Sequence, residues 1–197
     1  MRDVKPEIRL ILASGSPRRQ QFMRDLCLPF QAVALDIDES FPEHLVGVEI
    51  SDHLALKKAS AFRPLKANEV LITADTIVWF EGKSLGKPLD KNEAFQTLKA
   101  LSGKEHEVFS SICLKSRHQE ILINDRTLVE FEPLSTAEIE FYVERFKPFD
   151  KAGAYGIQDW IGLVAVKRLE GSFFNVVGFP TAKFYKALEN FQVFNEH

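Results

Sequence analysis

A short polar segment near the start of the chain combines hydroxyl and guanidinium groups at the point where a helix should begin. It contains Ser14, Ser16, Arg18 and Arg19 around a glycine and a proline. The backbone N–H groups of a helix N-terminus attract anions, and arginine donates paired hydrogen bonds to phosphate. The segment is neither a P-loop nor a Rossmann turn. The motif alone does not favour a phosphate-binding segment over two arginines that are simply solvated.

Lys58 is unusual because it shares a helix face with apolar residues. Leu54, Lys58 and Phe62 are spaced four apart, which places them on one side of a helix. Its neighbour Lys57 lies about 100° round the helix, where an ordinary solvated charge is expected. Lys58 either extends past the edge of the core into water, which is the commoner arrangement, or serves a buried anionic site.

Carboxylates supply the opposite charge. Asp75 follows one predicted strand and precedes another, so we expect it at a strand end. A buried carboxylate in that position is costly unless a metal ion or a lysine pairs with it. The acidic residues Asp36, Asp38 and Glu39 either form a solvated loop or supply a second carboxylate, since Mg²⁺ commonly takes one or two carboxylates together with substrate phosphate oxygens.

A second lysine, Lys87, lies between a glycine and a proline, and the proline favours an extended backbone before it. A plain surface turn is the alternative there. The five histidines show no metal-binding spacing, and no G-x-S-x-G marks a nucleophilic serine. The remaining cations and carboxylates suit electrostatic phosphoryl chemistry with a hard metal ion.

Composition limits the class of protein. The chain has 197 residues, of which 45% are hydrophobic and 27% charged, as in ordinary globular domains. A net charge of −3 argues against broad nucleic-acid binding, which requires a basic surface. Cys27 and Cys113 form no C-x-x-C pair, and residues 1–6 lack the hydrophobic run of a signal peptide or membrane span. We therefore expect a cytoplasmic protein that binds neither nucleic acid nor membrane.

Strand and helix signals alternate along the chain, which predicts a mixed α/β fold. Hydrophobic runs predict the strands, and capping residues such as Ser16, Asp90 and Ser135 predict where helices begin. The predicted strands cover residues 8–13, 70–73, 77–80, 107–115, 120–131 and 162–168. The predicted helices cover residues 18–26, 51–62, 90–102, 135–146 and 180–191.

The motifs above belong to a longer series of blocks. In order they are residues 14–19 (SGSPRR), 38–40 (DES), 54–59 (LALKKA), 74–76 (ADT), 86–88 (GKP), 101–106 (LSGKEH), 150–158 (DKAGAYGIQ) and 175–180 (NVVGFP). Together they resemble the Maf family of nucleotide pyrophosphatases. The resemblance implies an α/β fold with a long mixed sheet flanked by helices, similar in shape to inosine triphosphate pyrophosphatases. It also implies one domain over residues 1–197, two lobes around a central cleft, and a homodimer.

The resemblance further implies a role for each charged residue. Ser14, Ser16, Arg18 and Arg19 would bind the triphosphate of a nucleoside triphosphate substrate. The residues expected to carry the reaction are Glu39, Lys58, Asp75 and Lys87. A Mg²⁺ or Mn²⁺ ion would be held by Glu39 and Asp75. Asp75 would accept a proton from the attacking water or serve mainly as a metal ligand.

Substrate choice depends on fewer positions. The residue types at Arg18, Thr76 and Gln158 resemble the pattern of the family branch that acts on dTTP and UTP. Alternatives are a 7-methyl-GTP pyrophosphatase and a nucleotide-binding regulator of septum formation. The chain departs from the family pattern after Gln158, where Asp159 and Trp160 replace a small glycine-containing turn, so Trp160 is expected to add bulk near the base.

Overall fold

The structure, a computed structural model, describes residues 3–195. Within that range the chain forms seven strands and seven α-helices. The strands are β1 Arg9–Leu12, β2 Phe30–Ala32, β3 Glu69–Phe80, β4 Lys83–Leu85, β5 Glu105–Lys115, β6 Glu120–Phe131 and β7 Val166–Glu170. The helices are α1 Pro17–Asp25, α2 Val48–Ala61, α3 Lys91–Leu101, α4 Thr136–Phe146, α5 Trp160–Ala165, α6 Phe173–Val177 and α7 Thr181–Asn190, with a 3₁₀ turn at Ala152–Ala154.

The seven strands of the described chain belong to one mixed sheet. Its order is β2-β1-β3-β5-β6-β7, and β4 pairs with β3. β1 is parallel to both β2 and β3, whereas the β3–β4 and β6–β7 pairs are antiparallel. The predicted α/β class with a mixed sheet is therefore confirmed.

The described residues divide into two compact units. Unit 1 comprises residues 3–75, 110–124 and 178–195, and unit 2 comprises residues 76–109 and 125–177. Each unit has a hydrophobic core of its own, which includes Ile72 and Phe184 in unit 1 and Leu98 and Phe131 in unit 2. None of the helices in residues 3–195 has the length and apolar character that a membrane span needs.

The predicted helix starts at Ser16, Asp90 and Ser135 are confirmed, because each residue caps its helix as expected. Each of these side chains accepts a hydrogen bond from the backbone N–H three residues later. Ser135 and Glu138 form the full capping box, in which Glu138 Oε2 accepts from the Ser135 N–H at 2.7 Å. Such local pairings depend only on neighbouring residues, which is why the sequence predicts them well.

The two strands predicted at 70–73 and 77–80 are in fact one continuous strand, β3. Asp75 therefore lies inside a strand, and its predicted place at a strand end is wrong. The carboxylate does not need a loop to reach water, because Lys58 Nζ contacts Asp75 Oδ1 at 2.6 Å. A buried partner allows the backbone to stay in the sheet.

The strand predicted at 162–168 is wrong in its first half, where α5 forms, and β7 begins only at Val166. A short apolar run does not distinguish a buried helix from a buried strand by periodicity. Ile161 and Ala165 are buried one turn apart and face the core of unit 2. Gly162 permits this turn, since a Cβ there would lie 1.7 Å from the Ile157 carbonyl oxygen.

The helix predicted from residue 51 begins earlier, at Val48. Glu49 Oε2 accepts from the Val46 N–H at 3.0 Å and supports the first turn. Ser51 is fully buried inside the helix, and its hydroxyl bonds to the Val48 carbonyl and to Ser111 Oγ, at 3.0 and 2.7 Å. Ser51, the predicted first residue of this helix, therefore joins α2 to β5 within unit 1.

Candidate functional site

Three of the predicted site residues, Lys58, Glu39 and Asp75, lie together in unit 1. Lys58 Nζ is 2.6 Å from Asp75 Oδ1 and 2.8 Å from Glu39 Oε1. Asp75 and Lys58 are 7% and 9% exposed, whereas the Glu39 side chain is 47% exposed. Lys58 is thus a buried cation between two carboxylates, and it does not extend past the core into water.

The backbone of α2 is fixed against β3 close to this cluster. Thr73 Oγ1 donates to the Ala55 carbonyl at 2.7 Å, and both residues are buried. Thr73 and Asp75 are two apart on β3, so their side chains point to the same face of the strand. Lys58 follows Ala55 by about one helical turn, so this contact holds the lysine near the carboxylate.

Burial and charge act in opposite directions on Asp75. Burial raises the pKa of Asp75 above its usual range, because the charged form loses water. The charges of Lys58 and Arg19 lower it, and that of Glu39 raises it. The net result is a raised pKa, which makes Asp75 a stronger base than an exposed aspartate.

The two hydroxyls of the first motif shape the start of α1. Ser14 is buried, and its Oγ accepts from the Ser16 N–H at 3.2 Å. Ser16 is the N-cap of α1, and its Oγ accepts from the Arg19 N–H at 3.5 Å. The expected contact of both serines with phosphate stays a prediction.

Arg19 ties α1 to the strand that carries Asp75. Its Nη1 donates to the Ala74 carbonyl at 2.8 Å, and its Nε donates to the Gly178 carbonyl at 3.1 Å. Burial lowers the pKa of Arg19, and the Asp75 carboxylate opposes that change. Arg19 therefore has a structural role beside its predicted phosphate contact, while the half-buried Arg18 adjoins it at the start of the helix.

Two residues of the acidic segment, Asp38 and Glu39, pair with different lysines of α2. Lys57 Nζ is 3.2 Å from Asp38 Oδ2 and 2.8 Å from the Ser40 carbonyl oxygen. The hydroxyl and N–H of Ser40, together with Lys57, lower the pKa of Asp38 to about 2. Asp36 and Asp38 are exposed, as a solvated loop would require, and Glu39 alone of the three pairs with the buried Lys58.

The structure describes the other predicted residues, Thr76, Lys87 and Gln158, within unit 2. Lys87 is exposed, and the segment before it is held by a hydrogen bond from the Gly153 N–H to the Gly86 carbonyl at 3.1 Å. Gly153 has a φ of 67°, and a Cβ there would lie 2.9 Å from a methyl carbon of Val78. Only glycine fits this approach without displacing its neighbour.

Gln158 is exposed and is followed by a half-buried aspartate. Gln158 Nε2 donates to Asp159 Oδ1 at 3.2 Å, and the Tyr142 hydroxyl donates to Asp159 Oδ2 at 2.9 Å. Trp160 packs against Phe141, with the ring centroids 4.9 Å apart. Sequence reasoning missed Tyr142, although a buried tyrosine usually needs a hydrogen-bond partner.

The donor chemistry of Glu39 and Asp75 fits a hard cation, since carboxylate oxygens are the usual ligands of Mg²⁺ and Mn²⁺. Within residues 3–195, no group of three His, Cys, Asp or Glu is placed to hold a metal ion. Two carboxylates are enough where Mg²⁺ takes its other ligands from water and substrate phosphates. The residues present therefore suit an ion that binds together with a phosphorylated substrate.

Comparison with known proteins places the chain in a family. A family model described as Maf-like protein matches residues 9–191. A dTTP/UTP pyrophosphatase of Christiangramia forsetii is 52% identical over 91% of this chain and 92% of its own. Proteins of the same name from Flavobacterium johnsoniae and Bacteroides thetaiotaomicron are 51% and 46% identical over 91% of this chain, and over 93% and 94% of their own.

Among solved structures, the Ham1 protein of Staphylococcus aureus aligns with 91% of this chain and 99% of its own, at 13% identity and a TM-score of 0.46. That likeness is too weak to inform the site. The family match covers nearly all of the described chain, and it agrees with the order of motifs in the sequence. The chain belongs to the Maf family.

Proposed function

We propose that this chain is a nucleoside triphosphate pyrophosphatase, a hydrolase of acid anhydrides that converts dTTP and UTP into the monophosphate and pyrophosphate. The observation that carries the proposal is the pairing of the buried Lys58 with the buried Asp75 and the half-exposed Glu39. Phosphoryl transfer depends mainly on positioned charge, and this cluster provides both signs. The names of relatives at 46% to 52% identity supply the substrate class.

Asp75 is the proposed proton acceptor. A water oxygen forms a bond to the α-phosphorus while the bond from that phosphorus to the pyrophosphate oxygen breaks, and the water proton passes to the carboxylate. The raised pKa of Asp75 supports this role, because a general base is most effective when its pKa approaches the working pH. Lys58 holds the carboxylate in place by its 2.6 Å contact and offsets negative charge nearby.

The remaining cations and hydroxyls are proposed to bind the triphosphate. Arg18 and Arg19 lie at the start of α1, where backbone N–H groups favour an anion. Lys87 in unit 2 is proposed to neutralise charge on the leaving pyrophosphate, as the family resemblance implies. Ser14 and Ser16 are proposed as additional hydroxyl donors to phosphate oxygens.

A divalent cation, Mg²⁺ or Mn²⁺, is the proposed cofactor, with Glu39 and Asp75 as its protein ligands. When bound, such an ion polarises phosphate oxygens and lowers the pKa of bound water. Glu39 is half-exposed and can reorient towards an arriving metal–nucleotide complex. The contact of Lys58 with both carboxylates limits their mutual repulsion before substrate binds.

Base recognition is proposed to involve Arg18, Thr76 and Gln158. An amide side chain both donates and accepts, which matches a pyrimidine edge with adjacent carbonyl and N–H groups. We further propose a cytoplasmic homodimer with no nucleic-acid or membrane partner. The net charge of −3 supports the absence of nucleic acid, and light scattering of the purified protein tests the dimer.

A substrate panel tests the proposed function. The protein is incubated with Mg²⁺ and dTTP, UTP, CTP, 7-methyl-GTP or ATP, and the nucleotide and phosphate products are separated. Monophosphate and pyrophosphate from dTTP and UTP, with the activity lost in Asp75→Asn, is the expected result. Cleavage of 7-methyl-GTP alone would overturn the substrate class. Tight nucleotide binding without turnover in Mg²⁺ or Mn²⁺ would instead indicate a regulator.

A further inference from the structure

In unit 2, a chain of hydrogen bonds links the core to the exposed side chain of Gln158. The Gly156 N–H donates to the Tyr142 hydroxyl at 3.0 Å, and that hydroxyl donates to Asp159 Oδ2 at 2.9 Å. The other carboxylate oxygen, Oδ1, accepts from Gln158 Nε2 at 3.2 Å. Both oxygens of Asp159 therefore have defined partners, one of which is a buried side chain.

The inner end of this chain is rigid. Tyr142 is fully buried in α4, and burial raises its pKa, so the hydroxyl keeps its proton and remains a donor. A Cβ built on Gly156 would lie 2.6 Å from Gln158 Nε2 and 2.8 Å from Asp159 Oδ2. The Gly156 backbone thus lies close to the polar ends of both side chains.

Asp159 gives the Gln158 amide a direction. A carboxylate only accepts hydrogen bonds, so the NH₂ group of the amide must face it. The carbonyl oxygen Oε1 then faces the opposite way. Without such a neighbour, a glutamine amide reverses its two ends at little cost, and it serves a donor or an acceptor equally well.

We propose that Asp159 is a positioning residue for base selection, which acts by holding Gln158 with Oε1 presented as an acceptor to the substrate. This role rests on the proposed function. Uracil and thymine carry a ring N–H between two carbonyl groups, and this N–H matches Oε1. Cytosine carries an unprotonated ring nitrogen at that position, so two acceptors would face each other and remain unpaired. Asp159 thus favours UTP and dTTP over CTP.

Two readouts on the same variants test this role. The first is kcat/KM for UTP and for CTP, and the second is the dissociation constant of UMP and of CMP by calorimetry, which does not depend on turnover. In Asp159→Asn the new side-chain amide can donate a hydrogen bond to Gln158 Oε1. The Gln158 amide can then turn its NH₂ group towards the substrate. We expect the UTP:CTP and UMP:CMP preferences to fall about tenfold. Asp159→Glu keeps an acceptor-only group and should retain most of the preference.

Glu144→Gln is the matched control. It also removes one negative charge from unit 2, but the carboxylate that it removes pairs with Lys91, at 2.7 Å. It should leave both preferences unchanged. An equal loss for uracil and cytosine nucleotides in Asp159→Asn would overturn the role, since a purely structural defect affects both. If the wild type turns over neither triphosphate, the proposed function fails, while the UMP:CMP preference still tests Asp159. A wild type that shows no preference for uracil over cytosine nucleotides would also overturn the role of Asp159.

Discussion

Replacing Lys58 by methionine is expected to destabilise the protein far more than the same change at Lys57. The two lysines are adjacent on α2, and methionine keeps much of the apolar stem while it removes the charge. Lys58 contacts Asp75, whose side chain is 11% exposed. Lys57 contacts Asp38, whose side chain is 73% exposed. The two variants therefore compare a buried ion pair with an exposed one on a single helix.

The expected magnitudes differ because water compensates only the exposed charge. Removal of one partner from a buried ion pair costs about 3–5 kcal/mol, and an exposed pair contributes about 0.2–1 kcal/mol. We expect the free energy of unfolding to fall by about 3–5 kcal/mol in Lys58→Met and by less than about 1 kcal/mol in Lys57→Met. Adding Asp75→Asn to Lys58→Met removes the uncompensated charge and should restore part of the loss.

Urea denaturation of all three variants and the wild type, followed by far-ultraviolet circular dichroism at pH 7, measures these differences. A loss in Lys58→Met no larger than that in Lys57→Met would refute the reasoning, since Asp75 would then not depend on its lysine. Equal losses in Lys58→Met and in the double variant would also count against it, because altered packing and not an unpaired charge would explain the effect.

Three further predictions concern stability. Burial lowers the pKa of His106 to about 4, so its neutral form favours the fold fully above pH 6.5 and progressively less as the pH falls towards 4. The wild type should lose up to about 3 kcal/mol across that window by chemical denaturation, and an equally steep profile in His106→Phe would contradict this origin. Gly162→Ala should cost at least about 1–3 kcal/mol, since its Cβ would lie 1.7 Å from the Ile157 oxygen, whereas Gly86→Ala, with open space around it, should cost little; equal melting temperatures would show that α5 adjusts freely. Ser135→Ala should cost about 1 kcal/mol through loss of the capping box, and an unchanged denaturation midpoint would show that the cap does not stabilise α4.

Local signals account for most of what the sequence predicts correctly. Ser16 and Ser135 cap helices because the cap involves residues three apart, and the predicted strand at 120–131 matches β6. The family resemblance depends on ordered motifs, and the family match over residues 9–191 confirms it. The single domain over residues 1–197, with its cleft, and the roles of the site residues stay predictions.

Long-range pairing explains what the sequence does not predict. Asp75 was expected at a strand end because it lies between two predicted strands, and its partner Lys58 is distant in sequence. The apolar segment of α5 resembles a strand, since a short run has no decisive period. The contact of Asp159 with Tyr142 depends on the packing of α4, which no local pattern indicates.

Hydrolysis of dTTP in ¹⁸O-labelled water with Mg²⁺ tests the central claim most directly, because it shows which phosphorus the water attacks. Mass spectrometry of the products should find the label in dTMP and none in pyrophosphate, and Asp75→Asn should form neither product at a measurable rate. Label in pyrophosphate, release of free phosphate from an otherwise intact nucleotide, or full activity in Asp75→Asn would contradict hydrolysis at the α-phosphate with Asp75 as the proton acceptor.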